Sequence, residues 1–146
     1  MNLEEQINAD IKTAMLAREA SKLEALRAIK AAVLMLKTSA EGATPDAELK
    51  TLLKMVKQRK ETALIYTEQN RQDMADVELA QAAIIEHYLP KQLTEDEIKT
   101  ELQALIAQVG ATSLADLGKV MGVATKAFAG RADGKIVSGL VKTLLA

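Results

Sequence analysis

The chain has 146 residues, 49% of them hydrophobic and 27% charged, with a formal net charge of -1. That length suits one domain or two small ones, and about two-thirds of the surface of such a chain is buried on folding. The hydrophobic content argues against disorder, no apolar run approaches the roughly 18 to 20 residues of a membrane span, and the near-neutral charge excludes a globally basic nucleic-acid binder. There is no Cys and a single His. Disulfides, thiolate metal sites, Cys nucleophiles and His-cluster metal sites are therefore excluded, and a Ser–His triad is disfavoured. No metal and no cofactor is expected. Ala, Leu, Lys and Glu dominate while aromatics are only 2%, so an all-α fold with no sheet is expected. Met1-Asn2-Leu3-Glu4-Glu5 is acidic at once and lacks the basic-then-apolar form of a signal peptide. The expected location is cytoplasmic, with no membrane association.

Asn2 with Glu5 has the spacing of a capping box and opens a first helix carrying Leu3, Ile7, Ile11, Ala14 and Met15. Ser21 with Glu24 has the same spacing and predicts a second, with Leu23, Leu26, Ile29, Val33 and Leu36 on its apolar side. Thr38 to Thr44 contains Gly42 and reads as a loop. Thr44-Pro45 starts a long helix to about residue 69, with Leu49, Leu52, Leu53, Val56 and Ala63 inward, and Asn70 stops it. A fourth helix is expected from Asp73 to His87, presenting Val77, Ala80, Ile84 and Ile85. Pro90 ends it, because the residue before a proline is pushed out of the α region.

A domain boundary is placed at Pro90, giving an N-terminal four-helix domain, residues 1–90, and a three-helix C-terminal domain, residues 91–146. Thr94 and Glu97 form a third capping box ahead of Ile98, Leu102, Leu105, Ile106 and Val109, and Gly110 stops that helix. Ser113 is expected to cap a helix bearing Leu114, Leu117, Val120, Met121 and Phe128. Gly130 ends it, and Asp133 caps the last helix, with Ile136, Leu140, Val141 and Leu144 on its apolar side. Leu26, Ile29, Val33, Leu52, Val56 and Ile84 should make the larger core. Leu102, Leu105, Leu117, Met121, Leu140 and Leu144 should make the smaller one.

Little of the sequence looks catalytic. Gly130-Arg131-Ala132-Asp133-Gly134-Lys135 is one residue short of a phosphate-binding loop, lacks the following Ser/Thr, and joins two helices with no strand before it. It reads as a helix–turn–helix connection. The pairs Asp73/Asp76 and Glu95/Glu97 sit at helix starts, where they complement the macrodipole. His87 falls at a helix end, which suits packing and capping.

The positive charge is uneven. Lys50, Lys54, Lys57, Arg59 and Lys60 follow one another with no acid between them, and the first three share a helix face. From Gly110 onward five basic residues, Lys119, Lys126, Arg131, Lys135 and Lys142, stand against Asp116 and Asp133, a net +3. Lys119 and Lys126 share a face, as do Lys135 and Lys142. Arg131 lies in the turn between, as an exposed cation. Lysines beside helix N-terminal amides suit a phosphate backbone.

Several blocks together resemble a known family. Tyr88-Leu89-Pro90-Lys91-Gln92-Leu93, Gly118-Lys119-Val120-Met121 and Gly130-Arg131-Ala132-Asp133-Gly134-Lys135, with Arg27 and Arg71-Gln72-Asp73, are similar to the YqeY-like proteins of the GatB/YqeY family. Gln81 departs from the pattern, which has a second Glu one turn after Glu78. The family is related to the C-terminal helical portion of the B subunit of the tRNA-dependent amidotransferase, whose tail contacts the tRNA body. Some members are attached to a glutaminyl-tRNA synthetase. In the amidotransferase the catalytic domains lie elsewhere, so the resemblance implies tRNA as partner and no catalytic residues in this chain. Aminoacyl-tRNA synthetase or amidotransferase subunits are the implied protein partners.

The expected function is a non-catalytic tRNA-binding accessory module. The C-terminal basic residues are its contact surface and the basic run of the long helix is a second one. The alternatives are a component of a glutamine-dependent amidotransferase, a carbon–nitrogen ligase, and a helical protein–protein adaptor using Met35, Met55 and Met74. Scarce aromatics argue against single-stranded base stacking.

Overall fold

The first helix begins where the capping box places it. Asn2 Oδ1 accepts from the Glu5 N–H at 2.8 Å, and the Glu5 carboxylate accepts from the Asn2 N–H at 3.2 Å. In the computed structural model, which describes residues 1–146, the helices are α1 (Leu3–Leu16), α2 (Ala20–Lys37), α3 (Pro45–Glu68), α4 (Gln72–Glu86), α5 (Glu95–Val109), α6 (Leu117–Ala127) and α7 (Gly134–Leu145). A 3-10 turn covers Leu114–Asp116. There is no strand, so the protein is all-α. By its internal contacts the chain forms two compact units, Met1–Leu89 and Pro90–Ala146.

Three helices end in the same way. After α1, Arg18 takes the left-handed conformation (φ 57°), the Arg18 N–H donates to Met15 O, and the Glu19 N–H donates to Ala14 O. Asn70 (φ 59°) repeats this after α3 and Gly110 (φ 71°) after α5. Each turn satisfies carbonyls that the helix end leaves open. Asn70 and Gly110 stop their helices as the sequence suggests, since Asn and Gly tolerate positive φ. Arg18 carries no such signal.

That turn explains a first correction. Ser21 and Glu24 form no capping box. The reversal at Arg18 brings the chain into α2 early, the Leu23 N–H donates to Glu19 O, and Ser21 already lies inside the first turn. Ser113 caps no helix either. The Thr112 N–H donates to Asp116 Oδ2 at 2.9 Å and the Asp116 N–H donates to Ser113 O, which folds this segment into the 3-10 turn and delays α6 to Leu117.

The N-terminal unit buries Ile7, Ala14, Leu26, Ile29, Val33, Leu52, Val56, Ala82 and Ile85 together, with Ile84 and Tyr88 packed against them. Five of the six expected core residues are fully buried and Ile84 is partly so. On α4 the expected stripe is rotated: Val77 is 51% exposed, and Ala75, Gln81, Ala82 and Ile85 face inward. Alanine occurs on several sides of this helix, so its periodicity marks no face. The C-terminal unit buries Ile98, Leu102, Val120, Ala124, Phe128, Val137, Leu140, Val141 and Leu145. Leu105, Leu117, Met121 and Leu144 pack on its edge, and Ile136 points out while Val137 points in.

Candidate functional site

Lys119 and Lys126 stand seven residues apart on α6, and Lys135 and Lys142 stand seven apart on α7. On a 3.6-residue helix that spacing puts each pair on one face, about 10 Å apart along the axis. All four side chains are exposed and none pairs with a carboxylate. Asp133 starts α7: its Oδ1 accepts from the Lys135 N–H at 2.9 Å. Asp116 is occupied at the other end. The N–H of Thr112 holds its carboxyl below the usual range, with a smaller contribution from the charge of Lys119.

Each helix also carries a glycine on the lysine side, Gly122 on α6 and Gly139 on α7. A Cβ at either position would meet no atom within 4 Å. A glycine inside a helix costs about 0.5–1 kcal/mol relative to alanine.

Arg131 behaves differently from the four lysines. Its guanidinium donates to Glu101 Oε1 at 3.3 Å and Oε2 at 3.0 Å, and to Ala127 O at 2.6 Å. It also lies over the Phe128 ring, 5.5 Å from the centroid. The adjoining backbone is held too. The Leu93 N–H donates to Arg131 O, and Gln92 Nε2 donates to Gly130 O at 2.6 Å. The residues from Gly130 to Lys135 are thus a clamped turn in which Arg131 is a structural tie, not the exposed cation that the sequence suggests.

The basic run of α3 is divided in the same way. Lys50 and Lys54 are exposed and carry no carboxylate partner, and Lys57 is half-buried. Arg59 Nε donates to Gln81 Oε1 at 3.1 Å, and Lys60 pairs with Glu86 at 2.6 Å. Gln81 is the buried polar side chain of α4, 7% exposed, and this bond accounts for it. The neutral amide gives Arg59 a hydrogen bond without a second buried charge to desolvate.

Met35, Met55 and Met74 form no common face. Met35 is 73% exposed, Met55 packs on the core, and Met74 is half-buried at the start of α4. His87 caps α4 and meets the Tyr88 ring edge-on, with centroids 5.3 Å apart.

A cleft of about 340 Å³ in the N-terminal unit is lined by Leu3, Gln6, Glu48, Leu49 and Tyr88 among others. Burial raises the Glu48 carboxyl above its usual value, and the neighbouring Glu4 adds to the effect. The Tyr88 hydroxyl donates to Asp10. Burial, then the Asp10 carboxylate, push its ionisation well above the usual range.

A group whose folded value is raised gives stability that is complete below its unfolded pKa, about 10 for Tyr, and lost as pH climbs toward the folded value. Alkaline titration followed by tyrosinate absorbance should therefore show a late-ionising tyrosine. Tyr88→Phe should abolish that late step, and its persistence in the variant would show that the shift is misassigned.

Two curated relatives share part of this sequence, and both are called altered inheritance of mitochondria protein 41, mitochondrial. The protein of Meyerozyma guilliermondii is 40% identical over 83 residues, covering 57% of this chain and 44% of the relative. That of Clavispora lusitaniae is 31% identical over 108 residues, covering 72% of this chain and 63% of the relative. The match thus spans less than two-thirds of either relative. The family model described as Yqey-like protein matches residues 4–145. With almost every residue inside that match, the chain belongs to the YqeY-like family.

Proposed function

We propose that this protein is a non-catalytic tRNA-binding accessory module, related to the tail of the glutamyl/aspartyl-tRNA amidotransferase B subunit. The two compact units serve as a four-helix domain and a three-helix tail domain. The protein acts in the cytoplasm beside an aminoacyl-tRNA synthetase or amidotransferase subunits, whereas the relatives carry mitochondrial names. The observation that carries the reading is the set of four exposed lysines on α6 and α7 that pair with no carboxylate. A fold that needed them only as ballast gains little by leaving every one unpaired in an otherwise near-neutral chain. Lys50 and Lys54 on α3 are a second, separate contact surface in the N-terminal unit. Such contacts go to phosphates, which position the RNA without reading its sequence, so shape sets the selectivity.

The test is anisotropy with labelled tRNA across a salt series. Each lysine that neutralises a phosphate releases counterion, and the log–log slope should be about 0.7–0.9 in magnitude per contact. Replacing Lys119, Lys126, Lys135 and Lys142 together by alanine should flatten the slope by about 3 and weaken most tRNAs alike. Binding that ignores salt, or survives the fourfold substitution, would falsify the reading and favour an adaptor that binds protein through an apolar face.

A further inference from the structure

The cleft of the N-terminal unit holds a charge that the fold does not use. Its volume of about 340 Å³ lies at the lower end of the range for small-ligand pockets, about 300–1,000 Å³. The N-terminal ends of α1 and α3 form it together with Tyr88. Leu3, Pro45, Leu49 and the Tyr88 ring line it, and Leu52, 1% exposed, is its most buried lining residue. The Tyr88 hydroxyl donates to Asp10, which ties the ring to α1.

Among these apolar walls stands one carboxylate. Glu48 is half-buried and makes neither a hydrogen bond nor an ion pair. The cation that acts on it, Lys37, is already bound to Glu4. Two negative charges, Glu4 and Glu48, against the one positive charge of Lys37 leave a net -1 at this edge. A carboxylate in the first turn of a helix ordinarily gains from the macrodipole, yet burial dominates at Glu48 and raises its carboxyl. Asp46, exposed in the same turn, already complements α3. The desolvation of Glu48 is therefore a cost that no direct partner within the chain offsets.

We propose that this cleft binds a protonated amine carried on a short aliphatic stem, with the ammonium against the Glu48 carboxylate and the stem along Leu3, Leu49 and Leu52. The ammonium supplies the missing counter-charge, and a charge-assisted bond gains strength where water is partly excluded. The Tyr88 ring adds an aromatic surface, which attracts cations as well as hydrocarbon. An anionic ligand would meet Glu48 as a like charge, and a neutral one would leave it unpaired. The stem matters because the walls are apolar and a bare cation gains nothing from them. The chemistry is the same whether the amine is free or is the lysine side chain of another protein. None of the basic residues of the RNA reading takes part, so either reading can fail without the other.

The experiment is an NMR titration of the full chain at neutral pH with three probes that share one stem: pentylamine, 1-pentanol and pentanoate. Pentylamine should move the amide signals of Leu3, Glu48 and Leu49 and bind about tenfold or more tightly than pentanol. Pentanoate should bind more weakly than either. Methylamine, the same charge without the stem, should bind about tenfold more weakly than pentylamine. Glu48→Gln keeps the shape and removes the charge, so pentylamine should fall to the level of pentanol. That variant should melt no lower than the wild type, because it removes a buried charge that has no partner. Glu61→Gln, exposed on the same helix, should leave the binding of every probe unchanged. A blocked tripeptide with a central lysine identifies the source. Binding as tight as that of pentylamine makes it a protein side chain, and failure of the tripeptide where pentylamine binds makes it a free amine.

Equal binding of pentylamine and pentanol overturns the proposal, as does pentylamine binding that Glu48→Gln leaves intact. A Glu48→Gln variant that melts lower than the wild type shows that the carboxylate serves the fold, and overturns it too. Signals that move at exposed acids throughout the chain, and not at the cleft, reveal a general attraction of cations with the same consequence.

Discussion

Leu52→Ala is expected to cost the N-terminal unit about 2–5 kcal/mol, as buried leucine truncations do. Leu52 is 1% exposed and belongs to a core with Ile29, Val56 and Ile85. The substitution removes three carbons and leaves a void that the long helix α3 cannot close without moving its whole inner face. Urea unfolding followed by tyrosine fluorescence is a suitable measurement, because Tyr66 and Tyr88 both lie in this unit. Leu64 on the same helix is 61% exposed. Leu64→Ala should therefore stay within about 0.5 kcal/mol. Similar losses at the two positions would mean that α3 is turned the wrong way.

Arg131→Ala is the second large effect, expected to cost the C-terminal unit about 1–2 kcal/mol. The lost interactions are the fork on Glu101, the bond to Ala127 O and the contact with Phe128. Charge-assisted bonds of this kind reach about 3 kcal/mol when buried, but the side chains of Arg131 and Glu101 are 31% and 42% exposed, which lowers the expectation. Arg131→Lys should recover little, since an ammonium cannot reproduce the planar fork. Lys135→Ala, four residues on, should change stability by less than about 0.5 kcal/mol. Circular dichroism melts of the three variants decide the matter. Equal melting of Arg131→Ala and Lys135→Ala would return Arg131 to the surface. Because of this role, weaker RNA binding by an Arg131 variant reports damage to the turn as readily as loss of a phosphate contact.

The contrast between these residues shows where the sequence is legible. The capping boxes at Asn2 and Thr94 and the cap at Asp133 are local patterns that close within three residues, and the structure contains all three. The inner sides of α2 and α3 carry Leu26, Ile29 and Val33, and Leu52 and Val56, large aliphatic residues at helical spacing, so they too are readable. On α4 the inner side is made mainly of alanines and a glutamine, and on α7 valine and isoleucine compete for one position. There the phase is decided by the neighbouring helices and not by the residues themselves. The basic residues divide along the same line. Lysines with no partner look the same in sequence as cations whose partners are distant. Arg59 meets Gln81 across 22 residues and Arg131 meets Glu101 across 30, and no spacing rule anticipates either contact.

The reversals at Arg18 and Asn70 bear on how the chain reaches this state. Three residues join α1 to α2, and three join α3 to α4, while the link between α2 and α3 covers residues 38–44. Each hairpin therefore finds its partner among the residues made just before it. Little chain has to be closed into a loop before apolar contacts begin to reward the closure. Helical proteins with such local pairing have low contact order and fold in microseconds to milliseconds. During synthesis each hairpin can pair as soon as its second helix has emerged, and the apolar side that α2 still exposes is covered when α4 follows.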